Sequence, residues 1–154
     1  MFTDVANREE HIRRGFLADL FLDTPQCNAH TTCCDILWSG TPMVTMKGEK
    51  MASRVAASIL GATGLGDELI VDSYEEYEAL SVALAEDADR LFKMRQHLER
   101  SRNNCAAFDT QRWVRNVEQA YTQAVFRTEK GLPPDHIEVE DTAAVWSTAA
   151  PSLI

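Results

Sequence analysis

The chain has 154 residues, a net charge of −9 and a sequence pI of about 4.8. Its 45% hydrophobic and 25% charged residues are typical of a soluble globular fold with a buried core. A chain this acidic repels the phosphate backbone, and no run reaches the roughly 20 apolar residues that cross a bilayer, so we expect no nucleic-acid partner and no membrane partner.

Short apolar runs alternate with helical patterns in the first half of the chain. The predicted elements are a helix over 8–17, a strand over 19–22, a helix from 30–32 to about Gly40, a strand over 43–46, a helix opening at 48–49 and a strand over 68–71. Strands separated by helices are typical of βαβ units, so the order predicts an α/β, Rossmann-like fold with a small parallel sheet.

The second half of the chain is predicted to be helical. Apolar residues recur at three- and four-residue steps between 74 and 98, and a last helix is predicted over 110–128. The last helix carries one apolar stripe, which consists of Trp113, Val117, Tyr121, Ala124 and Val125. Beyond Gly131 the chain becomes acidic and loses its periodicity, which indicates a tail.

The first helix carries basic residues suited to binding an anion. His11 and Arg14 are three residues apart and share a face, with Arg8 one turn earlier. Beside Glu9 and Glu10, however, such arginines also fit an ordinary solvated helix face.

A second candidate segment, His30-Thr31-Thr32-Cys33-Cys34-Asp35, lies at a strand–loop–helix junction. The first turn of a helix offers unpaired N–H groups and a partial positive charge, so it binds phosphate readily. The threonine hydroxyls add donors, and Asp35 can accept from ribose hydroxyls. The spacing Thr32-x-x-Asp35 also fits a helix cap, and both interpretations stay open at this point.

Both segments resemble the protein O-GlcNAc transferases. The resemblance is dense over about residues 5–60 and rests on three runs: His11-Ile12-Arg13-Arg14-Gly15, Leu22-Asp23-Thr24-Pro25 with the following Cys27-Asn28 and His30-Thr31-Thr32, and Gly40-Thr41-Pro42-Met43-Val44-Thr45-Met46. It implies the C-terminal Rossmann-like lobe of a GT-B glycosyltransferase. Such an enzyme transfers GlcNAc from UDP-GlcNAc to Ser or Thr of nuclear and cytoplasmic proteins, with inversion and without a required metal.

The resemblance also implies a role for each matching residue. No catalytic residue is expected in this chain, and UDP-GlcNAc is expected as a substrate, with no cofactor. The uridine would be contacted by Ala6, Arg8 and His11, with Arg14 close by. The diphosphate would be held by His30, Thr31 and Thr32, and the ribose by Asp35. Asp87-Ala88-Asp89 matches the sequence of a transferase metal motif, but its place between two helical patterns predicts a helix start or a solvated helix face.

Four departures from the family pattern bear on this site. Arg8 stands where the family carries lysine, and Lys47 stands in place of proline. Cys33-Cys34 replaces a Gly-Met pair. Ala29 replaces a glycine before His30, so a left-handed backbone at Ala29 would be strained.

The organisation expected from the resemblance is a UDP-binding half-lobe with packing helices over 1–104, a helix over 105–132 that packs toward another lobe, and an acidic tail over 133–154. The expected partners are UDP or UDP-GlcNAc, protein acceptors, an N-terminal catalytic lobe and tetratricopeptide repeats, in the cytoplasm or nucleus. Two alternatives stay open: a non-catalytic uridine-nucleotide-binding or interaction module, and a GT-B relative such as a sugar-nucleotide epimerase.

Overall fold

Three short parallel strands and seven α-helices make up the part of the chain that the structure, a computed structural model, describes, residues 4–140. The elements are α1 (Arg8–Gly15), β1 (Phe21–Leu22), α2 (Thr31–Trp38), β2 (Met43–Met46), a 3-10 turn (Met51–Ser53), α3 (Val55–Gly61), α4 (Gly66–Leu69), β3 (Ile70–Val71), α5 (Tyr74–Glu86), α6 (Ala88–Ser101) and α7 (Thr110–Glu129).

The sheet has the order β1-β2-β3, and both strand pairs are parallel. Phe21 pairs with Met43, and Thr45 pairs with Ile70. Helices connect each strand to the next, as parallel pairing requires. The predicted α/β fold with a parallel sheet is therefore confirmed.

Several predicted helix and strand boundaries were wrong by a few residues. Residues 68 and 69, predicted as strand, belong to the single helical turn α4, and β3 contains only Ile70 and Val71. The first helix ends at Gly15, and the helix predicted from 48–49 begins with a 3-10 turn at Met51. These short elements lack the length that reveals periodicity.

The core of the first unit lies around β2, whose first three residues are buried. Helices α2, α3, α5 and α6 pack their apolar residues against it. The fully buried apolar side chains include Leu37, Met43, Val44, Leu60, Leu69 and Leu84. A buried leucine of this kind stabilises a fold by about 1.5–3 kcal/mol relative to exposure.

The backbone φ angles test two predictions, one before the start of α2 and one after its end. Gly40 follows Ser39, the C-cap residue of α2, with φ of +86°, as predicted for a helix C′ position. Ala29 does not adopt a positive φ, because the non-glycine residues within 4–140 all have negative φ. The predicted strain at Ala29 is wrong, and alanine fits there without that cost.

A second compact unit begins at Asp109. Asp109 caps α7 by accepting a hydrogen bond from the Arg112 N–H at 2.9 Å. Gly131, with φ of +65°, ends the helix, and the Leu132 N–H donates back to the Arg127 carbonyl at 3.0 Å, a Schellman arrangement.

The apolar stripe of α7 is incompletely buried, as predicted. Trp113 is 63% exposed and Tyr121 is 69% exposed, and α7 has no buried residue. Residues 132–140 of the predicted tail form no helix or strand, and 141–154 lie outside the described residues. Within residues 4–140, the helices are all too short or too polar to span a bilayer.

Candidate functional site

Helix α1 begins and ends with side chains that favour its formation. Asn7 caps it by accepting from the Glu10 N–H at 2.9 Å, and its first turn is acidic while its last turn is basic. Arg14 donates to the Asp4 carbonyl at 2.7 Å and pairs with Glu10 at 3.4 Å. These contacts bring the last turn of α1 back toward the segment that contains half-buried Ala6.

Helix α2 begins at Thr31 and has no side-chain cap. His30 is the N-cap residue, and its side chain makes no capping hydrogen bond. The N–H groups of the first turn are therefore left for solvent or a ligand, and Thr31 and Thr32 are exposed beside them. The capping interpretation of Thr32 and Asp35 is wrong, since Asp35 is the fifth residue of α2, beyond reach of the first turn.

Asp35 instead joins α2 to α1. Its Oδ2 atom lies 3.6 Å from His11 Nε2, with the Asp35 side chain 17% exposed and the His11 side chain 47% exposed. The structure thus brings together two residues that the family resemblance assigns to the uridine and the ribose. Arg8, by contrast, is an exposed residue in the first turn of α1.

Asp23 holds the loop that leads into α2, a role that the sequence analysis missed. This side chain is 3% exposed and accepts from the Ala29 N–H at 2.7 Å and from the Thr45 hydroxyl at 2.6 Å. Its backbone carbonyl accepts from the Tyr77 hydroxyl at 2.8 Å. An aspartate directly after a short apolar strand was the available signal.

Further contacts fix the same loop. The Asn28 N–H donates to the Ala52 carbonyl at 2.8 Å, and the Asn28 amide donates to the Thr24 carbonyl at 3.2 Å. His30 Nε2 lies 3.4 Å from the Ala52 carbonyl. The loop therefore sets the direction of α2 through contacts with β2, α5 and the turn before α3.

The two cysteines of the site segment differ in environment. Cys33 is fully buried, and burial raises the pKa of its thiol well above the ordinary value. Burial and, secondarily, the neighbouring Asp35 raise the pKa of Cys34. Both thiols therefore stay protonated at neutral pH. The Cys33-Cys34 departure from the family pattern supplies a core residue, Cys33, and leaves the backbone N–H groups of the first turn of α2 in place.

A cavity of about 750 Å³ lies at the ends of β2 and β3, apart from these residues. Its lining includes Lys47 and Asp72, whose charged atoms are 3.2 Å apart, and Arg54, which donates to the Gly48 carbonyl at 2.8 Å. The cavity contains none of the predicted site residues. We place the candidate anion site at α2 instead, because the first turn of α2 has no side-chain cap on its N–H groups.

Metal-binding geometry is absent within residues 4–140, where no three His, Cys, Asp or Glu side chains cluster suitably. Asp87 caps α6 by accepting from the Arg90 N–H at 2.9 Å. The predicted helix start at Asp87-Ala88-Asp89 is confirmed.

Comparison with known proteins decides the family. The family model described as Glycosyl transferase family 41 matches residues 1–117. The chain belongs to this family. The family match confirms the family expected from the sequence resemblance and removes the epimerase alternative.

Similar proteins are named as transferases of N-acetylglucosamine. The Arabidopsis thaliana protein named probable UDP-N-acetylglucosamine–peptide N-acetylglucosaminyltransferase SEC is 50% identical over 139 residues, or 90% of this chain and 14% of that protein. The Caenorhabditis elegans UDP-N-acetylglucosamine–peptide N-acetylglucosaminyltransferase is 48% identical over 89% of this chain and 12% of that protein. The chain thus spans about one-seventh of the length of these relatives.

A solved structure supports the fold. A mutant O-GlcNAc transferase of Thermobaculum terrenum superimposes with a TM-score of 0.65 at 28% identity, covering 80% of this chain and 22% of that one. The predicted GT-B fold class is confirmed.

Proposed function

We propose that this chain forms the UDP-binding part of a protein O-GlcNAc transferase. The complete enzyme would transfer GlcNAc from UDP-GlcNAc to Ser or Thr of acceptor proteins, with inversion at the sugar. The observation that carries the proposal is the uncapped first turn of α2 beside the His11–Asp35 pair. The family membership and the printed names of the relatives support it.

In this proposal each part of the nucleotide has its own group of residues. The diphosphate accepts hydrogen bonds from the N–H groups and hydroxyls of Thr31 and Thr32, with His30 at the helix start. Asp35 accepts from the ribose hydroxyls, and its contact with His11 at 3.6 Å keeps it beside the α1 residues. The uridine lies against the α1 residues, which are Ala6, Arg8, His11 and Arg14.

The same groups stabilise the leaving diphosphate. Negative charge grows on the β-phosphate as the sugar departs, and fixed N–H dipoles at a helix start stabilise such charge without reorganising. We therefore propose that UDP binding at α2 needs neither a metal nor another cofactor. The acceptor activation would come from residues outside this chain.

The relatives are about seven times longer, so we propose that other segments complete the enzyme. These would be a second catalytic lobe and tetratricopeptide repeats that present the acceptor protein. Cytoplasmic or nuclear proteins would be the acceptors, since the chain contains free cysteines suited to a reducing compartment.

UDP binding tests the site directly. We expect Asp35→Asn and Arg14→Ala to weaken UDP binding about ten- to a hundredfold, the range for losing one charge-assisted hydrogen bond. Titration calorimetry of the chain with UDP measures the effect. For Asp35→Asn the unfolding free energy should change by less than about 1 kcal/mol, because Asp35 makes only a 3.6 Å contact with the exposed His11 side chain and no cap.

Arg13→Ala is the matched control for Arg14→Ala. Arg13 lies on the same helix and pairs with exposed Glu9 at 2.7 Å, outside the proposed site. Its replacement should leave UDP affinity unchanged. Equal UDP affinity in Asp35→Asn and the original chain would remove the ribose role.

The chain alone should not transfer GlcNAc. With UDP-GlcNAc and a Ser/Thr peptide, we expect no glycopeptide by mass spectrometry, because no catalytic residue is assigned within it. Turnover above the peptide-only background would show that the catalytic machinery is present here.

A further inference from the structure

Tyr77 links helix α5 to the loop that leads into α2. Its hydroxyl donates to the Asp23 backbone carbonyl at 2.8 Å, across 54 residues of chain. The ring is half-buried and packs against the hydrophobic core. Burial, and secondarily the Asp23 charge, raises the pKa of the Tyr77 hydroxyl above its ordinary value, so this group is protonated at neutral pH and available as a donor.

The first turn of α5 holds Tyr77 in place. Ser73 caps the helix by accepting from the Glu76 N–H at 3.1 Å, and the Glu76 carboxylate accepts from the Asp72 N–H at 3.0 Å. This pair of bonds is close to a capping box, which stabilises the start of a helix. Tyr77 follows directly, and its N–H donates to the Ser73 carbonyl at 3.0 Å. The hydroxyl is therefore carried by the capped end of a helix.

Asp23 accepts hydrogen bonds at both its backbone and its side chain. The carbonyl accepts from Tyr77, while the carboxylate accepts from the Ala29 N–H at 2.7 Å and from the Thr45 hydroxyl at 2.6 Å. Ala29 lies two residues before Thr31, where α2 begins. The Tyr77 bond thus fixes the backbone from which the carboxylate reaches the residues that enter α2.

Different contacts hold the first turn of α2 and the rest of that helix. Cys33 and Leu37 are fully buried and fix the body of α2 in the core. The first-turn N–H groups lie at the end of the loop that begins at Asp23, so their direction depends on how that loop is held. A change at Tyr77 should therefore move the first turn more than it moves Asp35, which lies in the second turn.

Given the proposed UDP site, on which this step rests, we infer that Tyr77 is a positioning residue for the diphosphate of the bound nucleotide. The diphosphate accepts from the first-turn N–H groups of α2, and a hydrogen bond weakens steeply when its angle departs from linearity. The ribose and the base contact Asp35 and α1 instead. Tyr77 thus supports the part of the site that distinguishes a nucleoside diphosphate from a nucleoside.

Tyr77→Phe tests this role, because it removes the hydroxyl and keeps the ring. In NMR titrations of the chain with UDP and with uridine, we expect UDP affinity to fall about two- to tenfold, the range for one neutral hydrogen bond, and uridine affinity to stay unchanged. The ratio of the two dissociation constants is the decisive readout, since a smaller folded fraction weakens both ligands by the same factor. Tyr74→Phe is the matched control on the same helix, where Tyr74 is 58% exposed, and it should change neither affinity.

The two ligands separate failure of this role from failure of the UDP site. If Tyr77→Phe binds UDP as tightly as the original chain, or loses UDP and uridine affinity by the same factor, Tyr77 does not position the diphosphate and the UDP site itself stands. If the original chain binds neither UDP nor uridine, the proposed function is wrong, and the role of Tyr77 is wrong with it.

Discussion

Replacing Gly15 with alanine should separate α1 from α2 and disrupt the nucleotide site. An added Cβ would lie 2.3 Å from Ser39 Oγ and 2.8 Å from Ser39 Cβ. Ser39 is fully buried and donates to the Ile36 carbonyl at 2.7 Å, so it cannot turn away freely. We expect a loss of about 1–3 kcal/mol in unfolding free energy, measured by urea denaturation.

The same change should weaken UDP binding, because the His11–Asp35 contact depends on how α1 sits against α2. Adding Ser39→Gly removes both clashing atoms and should restore much of the stability and the affinity. Gly61→Ala is the matched control, since a Cβ there meets nothing within 4 Å. If the Gly15→Ala and Gly61→Ala variants unfold at the same urea concentration, the close approach of Gly15 to Ser39 does not limit how α1 packs against α2.

The elements with a clear sequence pattern could be predicted because such patterns are local. The apolar run 43–46 became β2 with the predicted bounds, and the last helix differs from its prediction by one residue. The single turn α4 could not be predicted. The sequence around Leu69 is equally compatible with a strand and with a helix. Leu69 is fully buried in the core, so its conformation depends on tertiary packing that a local sequence pattern does not reveal.

The candidate site was predictable in part for the same reason. The start of α2 followed from local turn chemistry, since the stretch before His30 disfavours helix and the stretch after it does not. The His11–Asp35 contact was not predictable, because the two residues are on different helices. The sequence indicated a turn at Asp23, and its hydrogen-bond partner Thr45 lies 22 residues further along the chain.

Asp23→Ala should be the most destabilising polar change in the first unit. It leaves the Ala29 N–H and the Thr45 hydroxyl without their acceptor, and each buried unsatisfied group costs about 1–3 kcal/mol. We expect a loss of about 3–4 kcal/mol in unfolding free energy by urea denaturation, a large share of the total for a domain of this size. Asp19→Ala removes an exposed aspartate and should change stability little.

A double-mutant cycle with Thr45→Val separates the two contacts of Asp23. Thr45→Val removes one donor and leaves the Ala29 hydrogen bond, so it should cost less than Asp23→Ala. In the double variant only the Ala29 N–H lacks an acceptor, so the combined loss should be about 1–2 kcal/mol smaller than the sum of the single losses. UDP binding should fall in Asp23→Ala under conditions where the chain stays folded, because Ala29 precedes the start of α2. Additive losses in the cycle, or full UDP affinity in Asp23→Ala, would show that this carboxylate does not hold the loop in place.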